Sequence, residues 1–137
     1  MNSVGRDYEI RQIKIKIDYR DLIAFQKAFK LAMRIFEISK TFPKEEIYSL
    51  TDQIRRSSRS VCSCIGESYR KRRYPAHFIS KLSDSDMENT ETQIWLNFAF
   101  ACNYIDENIF SELGQEVIEI GKLLNYMMAN PEKFGSK

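Results

Sequence analysis

The stretch SLTDQIRRSSRSVCSCIGESYRKRR, residues 49–73, decides the fold that we predict. Its apolar side chains recur at helical spacing with serines between them, so the stretch favours one long helix. These apolar residues are Leu50, Ile54, Val61 and Ile65. Small side chains fill residues 60–66 and allow a close approach, so we expect tight packing against a second helix. Residues 49–52 resemble a capping box, with Ser49 as the expected N-cap.

Three further helices are predicted on either side of this one. Before it, an apolar stripe predicts a helix over about 18–41. Phe42-Pro43 ends that helix, because a residue before proline is pushed out of the helical region. After it, the spacing predicts helices over about 75–103 and 106–128, the second of them capped by Asp106. Long helices joined by short links predict an all-α protein, an antiparallel up-down-up-down four-helix bundle.

The predicted bundle spans residues 18–129 and leaves a short segment at each end. Residues 1–17 contain isoleucines that alternate with lysines, a period of two that favours a short half-buried strand. The isoleucines are Ile13, Ile15 and Ile17. A disordered arm, an edge strand added to another subunit and a cover for the bundle remain alternatives. Residues 130–137 form a C-terminal tail.

Composition excludes several classes of protein. With 5 Gly and 3 Pro in 137 residues, the chain lacks the turns that a β-sandwich needs. Its 3 Cys cannot form a closed disulfide framework, because one is always left over. No apolar run approaches the roughly 18 residues of a membrane span, and the N-terminus lacks a signal-peptide core. We therefore expect a single-domain cytoplasmic protein that does not bind membranes.

Charge is unevenly distributed along the chain. Residues 1–73 carry a net charge of +8 and residues 74–137 a net charge of −6, which gives the overall +2. Seven basic residues on the second predicted helix stand out, and we call them the basic cluster. They are Arg55, Arg56, Arg59, Arg70, Lys71, Arg72 and Arg73. Arginine forms bidentate hydrogen bonds with phosphate, so the cluster predicts nucleic-acid binding; a solvated face paired with acids is the alternative.

Acidic rows on the third and fourth predicted helices raise the question of a metal site. The rows are Asp84, Glu88 and Glu91, and Glu112, Glu116 and Glu119. A carboxylate-bridged metal site would also need Glu-x-x-His on two helices, and the single histidine, His77, lies in no such motif. We therefore expect ion pairs between these acids and the basic cluster.

Cysteine and histidine positions give no catalytic constellation. Cys62 and Cys64 point about 200° apart on a helix, so they cannot bind one metal ion. We expect both, together with Cys102, to be small core residues. Spacing places no acid or serine beside His77 to make it a catalytic base. The sequence therefore predicts no catalytic residues, no metal site and no cofactor.

The end of the third predicted helix indicates a subunit interface. Residues 94–102 are apolar nearly all round, and such a helix end requires burial on more than one side. In a bundle this small, a second subunit can supply that cover. The large aromatic residues that we expect at the interface are Trp95, Phe98 and Phe100.

Several segments share their order and spacing with one protein family. They are FQKA (25–28), TFPKEE (41–46), LTDQIRRSSRSV (50–61), KRRY (71–74), ETQIWL (91–96), YI (104–105) and NPEKF (130–134). Over residues 19–134 the chain resembles the bacterial four-helix-bundle proteins encoded by intervening sequences in 23S ribosomal RNA genes. Accessory variability determinants of diversity-generating retroelements are related to them.

This resemblance implies a bacterial homopentamer that binds nucleic acid through a basic surface. In the retroelement branch it also implies a partnership with a reverse transcriptase. Combined with the basic cluster, it predicts a non-enzymatic homo-oligomer that binds RNA or DNA phosphates. The rival hypothesis is a protein-interaction scaffold in which the same arginines pair with acids of a neighbouring subunit and bind no nucleic acid.

Overall fold

The computed structural model describes residues 18–137, which fold into four α-helices. They are α1 (Ile23–Ser39), α2 (Leu50–Arg70), α3 (Pro75–Ala101) and α4 (Glu107–Ala129). Single turns of 3-10 helix are formed by Tyr19–Asp21, Lys44–Glu46 and Pro131–Phe134. No strand occurs within residues 18–137, so the prediction of an all-α protein with four helices is confirmed. The arm or strand expected over 1–17 lies outside the described residues.

Consecutive helices run antiparallel. The Ser85 Oγ of α3 donates a hydrogen bond to the Val61 carbonyl oxygen of α2 at 2.9 Å. The Thr92 Oγ1 donates to the Ser57 Oγ, also at 2.9 Å. Residue numbers rise along α3 while they fall along α2, so the two helices point in opposite directions. Contacts of α4 with α3 and with α1 follow the same reversed order, which gives the up-down-up-down arrangement.

The tight packing predicted for α2 is confirmed. α2 packs more extensively against α3 than any other two helices of residues 18–137 pack together. Serines are buried along this interface, where larger side chains would hold the helices apart. They are Ser57, Ser58, Ser68 and Ser85. Each hydroxyl donates to a main-chain carbonyl, so their burial leaves no donor unsatisfied.

The first helix begins later than predicted. The sequence indicated a helix from Asp18, but α1 starts at Ile23. The Asp18 carboxylate accepts a hydrogen bond from the Arg20 N–H, and the Asp21 carboxylate accepts one from the Asp18 N–H. These two bonds close a separate 3-10 turn. Leu22 is then extended, so the chain changes direction before α1.

Glu46, and not Ser49, caps α2. The Ser49 side chain makes no capping bond to the helix and instead donates to the Glu46 Oε1 at 2.6 Å. The Leu50 N–H donates to the same oxygen, and the Tyr104 hydroxyl donates to the other. Hydrogen bonds from Ser49 and then Tyr104 lower the pKa of the Glu46 carboxyl. A charged carboxylate therefore sits at the N-terminus of α2, where the helix dipole favours it.

The loop between α3 and α4 ends one helix and caps the next. α3 stops two residues earlier than predicted, because Asn103 adopts a left-handed φ of 62°. The Tyr104 N–H then donates to the Ala99 carbonyl at 2.8 Å, the bond that closes a Schellman motif. The Asp106 Oδ1 accepts from the Ile109 N–H at 2.8 Å, which confirms Asp106 as the cap of α4.

The core runs along the bundle axis and receives side chains from all four helices. Its largest fully buried members are Ile35, Ile54, Ile65, Phe78, Leu82, Leu96, Leu113, Ile120 and Leu124. Burying a side chain of this size contributes roughly 1.5–3 kcal/mol. The helices therefore hold their surface residues in fixed positions. No helix within residues 18–137 is both long and apolar enough to cross a membrane.

Candidate nucleic-acid interface

The basic cluster lies on α2 and on the turn that follows it. The sequence predicted that this helix continues to Arg73, but α2 ends at Arg70, so residues 71–73 belong to the turn. Two members, Arg55 and Arg72, are partly buried. The other five are exposed: Arg56, Arg59, Arg70, Lys71 and Arg73. The structure therefore divides the seven predicted site residues into two groups.

Arg55 is held against α1. Its Nε donates a hydrogen bond to the Ser39 Oγ at 2.8 Å. Its guanidinium carbon lies 4.8 Å from the centroid of the Phe36 ring, within the range of a cation–π contact. Arg55 therefore links α2 to α1 and has fewer free donors to offer a phosphate than its exposed neighbours.

Arg72 ties the C-terminal tail to the end of α2. Its guanidinium carbon lies 3.5 Å from the centroid of the Tyr69 ring, and its Nε donates to the Tyr69 carbonyl. Its Nη1 donates to the Phe134 carbonyl at 3.2 Å, while the Ser136 Oγ donates to the Arg72 carbonyl at 2.8 Å. Arg72 therefore has a structural role in the fold.

The five exposed cations have few acidic partners. Arg56 lies 3.8 Å from Asp52, and the Arg56 side chain is 73% exposed, so this pair is weak. The other four form no ion pair within residues 18–137. They are Arg59, Arg70, Lys71 and Arg73. An external anion could reach all five.

A groove of about 550 Å³ separates α1 from α2 on this side of the bundle, and we call it the α1–α2 groove. Residues that matter for its chemistry are Tyr19, Phe25, Phe29, Arg59, Gly66 and Arg70. The Tyr19 and Phe25 rings meet edge to face with centroids 4.9 Å apart, and Phe29 follows Phe25 at 5.9 Å. Arg59 and Arg70 are about 16 Å apart along α2, given a rise of ~1.5 Å per residue.

The acidic row of α4 pairs with α1. The Arg34 guanidinium lies 2.7 Å from the Glu112 carboxylate and 3.6 Å from that of Glu116. Lys27 lies 3.2 Å from Glu119. Within the chain, the prediction that this row pairs with the basic cluster is therefore wrong. The physical reason is topological, because α4 is adjacent to α1 and α3 but not to α2.

The acidic row of α3 is only partly paired. Lys81 lies 2.7 Å from Glu67 of α2 and 3.8 Å from Asp84. Burial, together with the charges of Glu91 and Asp84, raises the pKa of Glu88, and the charge of Arg56 opposes that shift. Arg56 is thus the member of the basic cluster whose charge reaches this row.

The cysteine and histidine positions match the sequence analysis except at Cys102. Cys62 and Cys64 are buried, and burial raises the pKa of the Cys62 thiol to about 12. Cys102 is exposed and not in the core as predicted, because α3 ends there and the chain turns towards solvent. His77 is exposed beside Tyr74, with ring centroids 5.5 Å apart. Within residues 18–137, no three His, Cys, Asp or Glu side chains converge as a metal site.

The aromatic residues predicted for a subunit interface lie on two faces of α3. Trp95 is partly buried and lies 5.9 Å from Phe98, whereas Phe100 stacks on Phe110 of α4 at 4.4 Å. Phe98 belongs to an exposed apolar row opposite the core, which we call the outward stripe. The outward stripe consists of Met87, Ile94 and Phe98, exposed by 68%, 44% and 53%.

The aromatic wall of the α1–α2 groove was missed by the sequence analysis. The apolar stripe that predicts the first helix includes Phe25 and Phe29, and both rings are only partly buried, as is Tyr19. Gly66 inside a helical pattern was an available signal, because such a glycine often marks a close approach. The signal could not identify the ring that approaches, since Tyr19 lies 47 positions away in the sequence.

The four antiparallel helices define an all-α four-helix protein, and one of these helices carries an exposed row of arginines. The chain belongs to the 23S rRNA-intervening sequence protein family, whose sequence profile matches residues 20–126. This confirms the resemblance found in the sequence. Among solved structures, it is similar to a Bacteroides thetaiotaomicron protein of unknown function from the S23 ribosomal protein family, with 27% identity and a TM-score of 0.70. The match covers 78% of this chain and 96% of that one. No curated protein matches the chain.

Proposed function

We propose that the protein is a non-enzymatic nucleic-acid-binding protein that contacts phosphates through the exposed members of the basic cluster. One observation carries the proposal. Arg59, Arg70, Lys71 and Arg73 are exposed and form no ion pair within residues 18–137, whereas the acidic row of α4 is paired with cations of α1. An unpaired row of this kind attracts a polyanion.

Phosphate contacts by these side chains predict binding with little sequence preference. Such contacts orient the nucleic acid but carry no direct sequence information. Each neutralised phosphate releases counterions, so the affinity falls steeply as salt concentration rises. The salt dependence is therefore the signature of the proposed interface.

The proposal extends to self-association as a homopentamer. Support comes from the outward stripe, an apolar row that a second copy of the chain could cover. The sequence resemblance implies the same assembly. A ring of subunits would repeat the basic cluster, and several weak phosphate sites on one nucleic acid bind much more tightly than one.

Fluorescence anisotropy with a labelled single-stranded RNA at two salt concentrations tests the proposal. The test variant combines Arg59→Glu, Arg70→Glu and Arg73→Glu. The control combines Lys30→Glu, Lys44→Glu and Lys122→Glu. These lysines are also exposed, and the substitutions change the net charge by the same amount. We expect the test variant alone to lose affinity and to lower the salt slope by about 0.7 for each phosphate contact removed.

Two results would count against nucleic-acid binding. One is an unchanged affinity in a test variant that keeps its helical circular dichroism. The other is dissociation of the assembly by the test variant with no RNA binding by the wild type. The second result would support the scaffold hypothesis, in which these arginines hold subunits together.

A further inference from the structure

We infer that the α1–α2 groove binds an unpaired base, so that the nucleic acid preferred by this protein is single-stranded. The inference rests on the proposed function, because it names the ligand of the same surface. Arg59 and Arg70 belong both to the groove and to the exposed basic cluster. The groove therefore places an apolar recess directly beside two phosphate-binding side chains.

The walls of the groove suit a flat aromatic ligand. Tyr19, Phe25 and Phe29 are each partly exposed and form a continuous row of rings. Aromatic rings accept any base by stacking, because every base has a π-face. Gly66 lets the Tyr19 ring lie close to α2, since a Cβ at that position would lie 3.6 Å from the ring.

The charge around the groove favours an anionic ligand. Glu67 lines the groove and Asp18 precedes Tyr19, but each of these acids already has a cationic partner. Glu67 lies 2.7 Å from Lys81 on α3, and Asp18 lies 2.9 Å from Arg20. Arg59 and Arg70 form no ion pair within the described part of the chain.

A single strand matches both the aromatic walls and the positive charge of the groove, whereas a duplex matches only the charge. Its bases can leave the backbone and enter the apolar recess, while the flanking phosphates reach Arg59 and Arg70. The bases of a duplex remain stacked inside the helix and leave only phosphates for these arginines. Charge and shape together therefore assign the groove to unpaired nucleotides.

An abasic strand separates base binding from phosphate binding. The full chain is titrated with a labelled oligouridylate of about 12 nucleotides, and with an abasic strand of the same length and charge. We expect the wild type to bind the base-bearing strand about 5- to 10-fold more tightly. Tyr19→Leu should bring that ratio close to one without changing the affinity for the abasic strand, and Tyr19→Phe should preserve it.

Tyr48→Leu is the matched control, because Tyr48 is 91% exposed and does not line the groove. If Tyr19→Leu does not fold, Phe29→Leu tests the same wall. Equal wild-type affinity for both strands would overturn the groove assignment and leave phosphate binding intact. A Tyr19→Leu variant that keeps the wild-type ratio would also overturn it. If neither strand binds at low salt, the proposed function fails and the groove assignment fails with it.

Discussion

Arg55 and Arg59 are one helical turn apart on the same side of α2, but their guanidinium groups have different surroundings. Both lie over the Phe36 ring, at 4.8 Å for Arg55 and 5.6 Å for Arg59, but Arg55 also donates to Ser39 and is partly buried, whereas Arg59 is exposed. The two positions therefore compare an arginine held in the fold with one that the proposed function assigns to binding. A pair of single substitutions can measure this difference.

We predict that Arg55→Ala lowers the free energy of unfolding by about 1–2 kcal/mol, because it removes a hydrogen bond and a cation–π contact. Arg59→Ala should change stability by less than about 0.5 kcal/mol, as is usual for exposed positions. RNA affinity should fall more for Arg59→Ala. Urea unfolding and fluorescence anisotropy of both variants check the prediction. A larger loss of binding in Arg55→Ala at unchanged stability would contradict it.

At this scale, the sequence predicts the face of a residue but not its neighbours. Helical spacing placed Arg55 and Arg59 on one stripe, and that is where both lie. The hydrogen bond that distinguishes Arg55 comes from Ser39 of α1, and the Phe36 ring lies nearer to Arg55 than to Arg59. Only the packing of two helices brings these residues of α1 close. The cap of α2 shows the same limit, because Glu46 reaches it from a turn that the local sequence pattern does not reveal.

The helices themselves were predicted well, and their ends less well. Periodic apolar residues fix the existence of a helix, since a stripe over five turns has no other regular interpretation. The ends depend on local bonds, such as the left-handed Asn103 that stops α3. The close contact of α2 with α3 was also predictable, because small residues in mid-helix have few other uses.

This contact leads to a prediction about two serines of α3. Ser85 has no exposed surface and donates to the Val61 carbonyl, whereas Ser83 is exposed two residues earlier. Ser85→Leu should lower the free energy of unfolding by about 1–3 kcal/mol, because the added volume forces α2 and α3 apart. Ser83→Leu, which adds the same volume at the surface, should be nearly neutral.

Urea unfolding monitored by circular dichroism measures both variants. If the free energy of unfolding falls with urea concentration at the same slope in both variants, their midpoints can be compared directly. Equal midpoints for Ser85→Leu and Ser83→Leu would show that the α2–α3 interface can expand without cost. That result would contradict the close packing described above.

For the whole molecule, the fold converts part of the charge asymmetry of the sequence into internal ion pairs. Cations of α1 meet acids of α4, as Arg34 and Lys27 illustrate, and α2 remains the basic side. The net charge of each half can be counted from the sequence, but the sequence does not indicate which acids meet which bases. That depends on helix order around the bundle. The outward stripe is a second feature of the whole molecule, and its proposed role is to contact a second copy of the chain.

For the proposed self-association through the outward stripe, we predict that Phe98→Glu lowers the mass in solution, because a charge cannot be buried in an apolar contact without a partner. Tyr48→Glu is the control, since it introduces the same charge at another exposed aromatic residue. Light scattering coupled to gel filtration gives the mass of each variant. RNA affinity should also fall in Phe98→Glu as multivalent contacts are lost. An unchanged mass would exclude the outward stripe as the subunit contact.

The different burial of the three cysteines has a use in labelling. Maleimide dyes react with accessible thiolates, and the buried Cys62 and Cys64 have raised pKa values that suppress this reaction. Cys102 is exposed, so the native chain carries one practical attachment point. It lies one helical turn beyond Phe98 and on neither helix of the α1–α2 groove. A fluorophore placed there would report the proposed subunit association while leaving the basic cluster unmodified.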